Sequence, residues 1–125
     1  MTHKKIAVIG AGSWGTALSL HLAEKFEQVS LWVYEKTLCD IINKERENKW
    51  FLPDIFLPRN IVSDNSIERV SQHQKIILLV VPTQALRKIA KQLKPFIKPE
   101  TIIINASKGI ENGSLIPCHK IIKDS

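Results

Sequence analysis

Short continuous apolar runs alternate along the chain with longer stretches in which apolar positions recur every three or four residues. Lys5 to Ile9 reads K-I-A-V-I, a β-branched run that suits a strand buried on both faces of a parallel sheet. Trp14 to Lys25 then places Leu18 and Leu22, with Ala17 and Ala23, at helical spacing. Gln28 to Tyr34 has the β-branched and aromatic content of a second strand, so about 30 residues make one βαβ unit. Lys36 to Glu47 predicts a helix with Leu38, Ile41 and Ile42 inward.

The pattern then breaks at residues 51–58, F-L-P-D-I-F-L-P, where two prolines forbid both a helix interior and a central strand; an ordered loop is expected. Ile61 to Ser63 predicts a short edge strand, and Ser66 to Gln72 a short helix opened by a side-chain cap. Lys75 to Val81 is the most strand-like stretch and stops at Pro82. Gln84 to Leu93 repeats the helical period through Leu86, Ile89, Ala90 and Leu93, and Thr101 to Ile104 predicts another buried strand. A polar turn over Ser107 to Gly113 and a helix over Leu115 to Ile122 complete the series. Such alternation argues for an α/β, Rossmann-type doubly wound, mainly parallel sheet, expected to be incomplete at its C-terminal edge.

The order of elements makes one turn chemically informative. Gly10-Ala11-Gly12-Ser13-Trp14-Gly15 joins the first strand to the first helix, and Glu35 follows Gly15 by 20 positions, at the end of the second strand. In this arrangement Gly10 makes the tight turn, Gly12 lets a diphosphate approach the backbone, and Gly15 lets the helix pack on the strand. The diphosphate would lie at the helix N-terminus, where Ser13 and Trp14 contribute the first amides. A carboxylate at Glu35 accepts from ribose hydroxyls and repels a 2′-phosphate, which favours NAD, while Tyr34 and Lys36 leave NADP open.

Length, charge and cysteines narrow the classes. With 125 residues the chain fits one dinucleotide-binding domain spanning residues 1–125, and it is too short for two domains of about 100 to 200 residues each. Its 44% hydrophobic and 24% charged content is that of a soluble globular protein, with no run near the ~20 apolar residues of a membrane span and no secretory cleavage pattern. A cytoplasmic location and no membrane partner are expected. The net charge of +6 is spread from Lys4 to Lys123, which argues against a nucleic-acid surface. Cys39 and Cys118 have neither CxxC spacing nor a histidine partner; both are expected to be reduced and structural, and no metal site is expected.

Four stretches, taken together, resemble a known family: G-A-G-S-W-G-T-A-L at 10–18, F-L-P-D-I-F-L-P at 51–58, V-V-P-T-Q at 80–84 and S-K-G-I-E at 107–111 are similar to NAD(P)-dependent glycerol-3-phosphate dehydrogenase. The resemblance implies hydride transfer between NAD(P)H and dihydroxyacetone phosphate, giving sn-glycerol 3-phosphate for phospholipid synthesis, in a cytoplasmic homodimer. It implies cofactor contacts at Ser13, Trp14, Tyr34 and Pro82, and a lysine touching both cofactor and substrate at Lys108. Beside Ser107 and Gly109, the Lys108 ammonium would hold an anionic substrate or the carbonyl oxygen that gains charge as hydride arrives. Bacterial members often carry arginine or histidine where Tyr34 stands, so NAD and NADP both remain open. The family's catalytic lysine lies in a helical substrate domain that is absent here, so cofactor binding without turnover is expected. The other reading, a non-catalytic NAD(H)-binding module, would need its last strand covered.

Overall fold

The computed structural model describes residues 3–107, and its architecture is set by a central strand that is apolar on both sides. In β1 (His3–Ile9), Ile6 and Val8 point into one cluster of buried side chains and Ala7 and Ile9 into another, so both faces need a covering layer. Helices α1 (Ser13–Ala23) and α2 (Lys36–Glu45) cover the first face; α3 (Ile67–Ser71) and α4 (Thr83–Leu93) cover the second. With β2 (Phe26–Trp32), β3 (Ile61–Asp64), β4 (Ile76–Leu79) and β5 (Ile102–Asn105), the strands form a five-stranded sheet in the order β3-β2-β1-β4-β5. All four pairings are parallel, with Ile9 beside Trp32 on one side and beside Leu79 on the other. This is the expected α/β, doubly wound class. Its topological switch lies beyond the carboxyl ends of β1 and β4, where open α/β sheets leave a crevice.

The elements depart from the sequence expectation in instructive places. β2 begins two residues earlier than Gln28, because Phe26 is buried and closes the first cluster. It ends before Val33, whose carbonyl, like that of Tyr34, accepts from the Asn65 side-chain amide. The fully buried residues of α1 are Gly15, Thr16 and Ser19, while Leu18 and Leu22 are half-buried and pack against the first cluster. At Gly15 the helix lies too close to the turn before it for any side chain, and the Ser19 hydroxyl donates back to the Gly15 carbonyl at 2.8 Å.

α2 stops at Arg46, in the left-handed region at φ 57°, rather than at Glu47. From there the Arg46 guanidinium donates to the carbonyls of Leu57, Pro58 and Ile61, and the Leu57 amide donates to the Arg46 carbonyl. The proline-bearing segment is thus an ordered loop, as its composition implies. The expected helix over Leu115 to Ile122 and Cys118 lie outside the described residues.

Candidate functional site

The three glycines of the first turn carry three different constraints. Gly10 sits at φ 124°, and a Cβ there would stand 2.1 Å from the Val80 carbonyl oxygen, so the turn presses directly on the end of β4. At Gly15 a Cβ would meet the Gly10 carbonyl oxygen at 2.0 Å, which fixes how closely α1 packs on β1. Gly12 is the opposite case: nothing lies within 4 Å of an added Cβ. The backbone there faces open space at the amide end of α1, whose first internal bond runs from Thr16 N to Gly12 O at 3.0 Å. A bare backbone beside the positive end of a helix dipole fits a diphosphate both sterically and electrostatically.

That space opens into a cavity of about 470 Å³. Its floor is Gly10, Ala11 and Gly12; one wall is the end of β2 with Trp32, Tyr34 and Glu35, and the opposite wall is Val80, Val81 and Pro82 with Ala85, Lys88, Ile89 and Gln92 of α4. Phe51, from the proline-bearing loop, closes a further side. Of the sequence candidates, Gly10, Gly12, Tyr34, Glu35 and Pro82 therefore meet around one space. Ser13, Trp14 and Gly15 stand at the turn but not on the cavity lining: the Ser13 hydroxyl donates to the Phe51 carbonyl at 2.6 Å, Trp14 is 49% exposed, and Gly15 is buried. Lys108 lies outside the described residues. Its chain neighbour Ser107 is held at this site, with its hydroxyl accepting from Val81 N at 3.0 Å.

Tyr34 is 67% exposed, yet its ring is not unsupported. Buried Trp32 meets it edge to face at 6.0 Å and anchors its own indole nitrogen on the Asn65 carbonyl at 3.0 Å. Sequence reading missed Asn48, Phe51 and the α4 wall. The wall had a signal, since Ala85, Lys88, Ile89 and Gln92 follow the helical period. Asn48 had none.

Among the described lining residues Glu35 and Lys88 bear the formal charges, one on each wall. Away from the cavity, Arg69 binds the Asp64 carboxylate through two hydrogen bonds of 2.7 and 2.8 Å and holds its pKa below the usual range. Burial, reinforced by Asp64 and Asp40, pushes the Cys39 thiol up and makes it a poor nucleophile. Among the described residues no group of three His, Cys, Asp or Glu side chains is placed to hold a metal, and no helix is long and apolar enough to cross a membrane.

Comparison with known proteins bears on the same region. A family model described as the N-terminus of NAD-dependent glycerol-3-phosphate dehydrogenase matches residues 5–125. An NAD(P)+-dependent glycerol-3-phosphate dehydrogenase of Syntrophobacter fumaroxidans is 41% identical over 111 residues, which are 89% of this chain and 33% of that protein. The crystal structure of glycerol-3-phosphate dehydrogenase from Coxiella burnetii superposes with a TM-score of 0.90 at 35% identity, over 98% of this chain and 37% of its own. The Saccharomyces cerevisiae enzyme gives 0.87 at 30% identity, over 98% and 39%. The chain thus spans about a third of the length of the curated relatives it matches.

Proposed function

From the premise that the chain belongs to the NAD-dependent glycerol-3-phosphate dehydrogenase N-terminal family, we propose that residues 1–125 form a dinucleotide-binding domain that holds NAD(H) or NADP(H) in the cavity above Gly12. The observation that carries this reading is the open backbone at Gly12, set between two glycines whose own Cβ positions are filled. Chain geometry at Gly10 and Gly15 explains why those two are glycine without any ligand; it gives no such reason for Gly12. The diphosphate would take that space.

The two halves of the cofactor then divide between the walls. Tyr34 and Glu35, at the end of β2, are placed to meet the adenosine ribose, with Glu35 accepting from its hydroxyls. Val81 and Pro82, beyond β4, would wall the nicotinamide side and keep water from it. Ser13, Trp14 and Gly15 set the helix end against the phosphates, the first two through their amides and the third by its close packing.

A bound nicotinamide supplies or accepts the hydride. In the whole protein the reaction would be reduction of dihydroxyacetone phosphate to sn-glycerol 3-phosphate, serving phospholipid synthesis in the cytoplasm, by a homodimer. Lys108 would hold the substrate and stabilise negative charge on its carbonyl oxygen.

Calorimetric titration of NADH and NADPH into the folded chain tests the cofactor reading. Saturable heat with one site is expected, and no heat from either would overturn it.

A further inference from the structure

Asn48 is fully buried between the proline-bearing loop and the glycine turn, and every polar atom of its side chain is engaged. Its amide nitrogen donates to the Ala11 carbonyl at 2.8 Å and to the Thr16 hydroxyl at 2.8 Å, while its amide oxygen accepts from Phe51 N at 3.1 Å. The Thr16 hydroxyl itself donates to the same Ala11 carbonyl at 3.3 Å, so that one oxygen is held by two side chains. Ser13 closes the clamp from the other side by donating to the Phe51 carbonyl.

The held carbonyl belongs to the peptide that joins Ala11 to Gly12. That peptide is planar and trans, so its N–H points opposite to its C=O. With the Ala11 oxygen turned to Asn48 in the interior, the Gly12 N–H is turned away from Asn48, and Gly12 itself lines the cavity. Resting on the cofactor reading above, we propose that Asn48 is a positioning residue that aims the Gly12 amide at the cofactor diphosphate. It touches no ligand. Without it the Ala11–Gly12 peptide loses the main restraint on its rotation, and an amide meant for an anion no longer arrives preorganised. A second consequence is that the Phe51 wall and the phosphate floor move as one piece, because the same side chain pins both.

The test compares the unmodified chain with Asn48→Ser and Thr16→Val, each checked for folding by circular dichroism. Asn48→Ser is expected to weaken NADH about tenfold or more, the scale of one misdirected hydrogen bond to an anion. Thr16→Val leaves the bond from Asn48 to Ala11 in place and is expected to lose much less. Nuclear magnetic resonance of the unmodified chain gives a readout independent of any variant: the Gly12 amide should show one of the largest downfield shifts on NADH binding. A silent Gly12 amide in saturated protein overturns the proposal whether or not Asn48→Ser folds, as does a folded Asn48→Ser chain with undiminished affinity. Failure of the unmodified chain to bind NADH at all would instead strike the cofactor reading.

Discussion

The carbonyl oxygen of Gly10 stands 2.0 Å from the place a Cβ on Gly15 would occupy, so the first turn of α1 rests on the peptide that begins the loop before it. The contact is with backbone, which cannot swing aside as a flexible side chain would. Gly15→Ala is therefore expected to destabilise the fold by about 1–3 kcal/mol through overpacking. Gly12→Ala adds the same methyl into open space and is expected to leave stability within about 1 kcal/mol, since its φ of −73° suits any residue. The two variants should separate cleanly: thermal denaturation registers Gly15→Ala, whereas NADH titration registers Gly12→Ala. Equal effects of both on stability would contradict the division of labour among the glycines.

Glu35 and Lys88 face one cavity from opposite walls, and their charges act with opposite sign on a cofactor bearing a 2′-phosphate. Glu35→Gln removes the repulsion while keeping the shape, and is expected to raise the affinity for NADPH relative to NADH by severalfold, on the order of 1 kcal/mol. Lys88→Glu is expected to weaken both cofactors, NADPH more, and to do so less at high salt because the residue is exposed. Paired titrations at low and high ionic strength measure this. An unchanged NADPH to NADH ratio in Glu35→Gln would show that the carboxylate does not face the ribose.

The pairing of Asp64 with Arg69 has a defined pH dependence. Arg69 and the Ser66 amide both donate to the carboxylate, so its folded pKa lies below the ordinary value near 3.9. A depressed carboxylate contributes stability that is complete above the unfolded pKa and is lost as pH falls through the folded one. Because Arg69 is largely exposed, the amount is expected to be under about 1 kcal/mol. Asp64→Asn should thus shallow the loss of stability below about pH 4 and leave its slope near pH 7 unchanged. Urea denaturation at a series of acidic pH values reads the difference.

Most of the fold was legible because its determinants are local. The apolar runs that become β1 and β4 are buried on both faces, the helical period of α4 is regular, and the spacing of Gly10 and Gly15 encodes a contact only five residues apart. What escaped depends on distant partners. The true end of β2 is set by Asn65, which takes the carbonyls of Val33 and Tyr34 from 32 and 31 residues away. Asn48 gains its role from Ala11 and Thr16, at separations of 37 and 32 residues. In α1 the leucines pack half-buried on the first cluster as their spacing implies, but the fully buried positions are the small Gly15, Thr16 and Ser19, and the nearness of Gly15 to the Gly10 carbonyl is a contact that hydrophobic spacing does not register.

Arg46 joins the stability of the loop to the shape of the cavity. Its left-handed backbone ends α2, and its guanidinium gathers the carbonyls of Leu57, Pro58 and Ile61, among which Leu57 is fully buried. Burial lowers the Arg46 pKa, but from so high a value that the group stays charged at neutral pH. Lysine has one ammonium where arginine has a planar fork, so Arg46→Lys is expected to leave at least one carbonyl without its donor and cost about 1–3 kcal/mol. The loss should not stay local. Residues 47–57 run from Arg46 past Asn48 and Phe51 and return to its guanidinium at Leu57, so loosening Arg46 frees the far end of a segment whose nearer part forms a cavity wall. Limited proteolysis is expected to cut Arg46→Lys faster within residues 49–59, and bound NADH to restore much of the protection by drawing Phe51 back against the site. Protection by NADH equal in the variant and the unmodified chain would mean that the loop and the cavity are not coupled through this clamp.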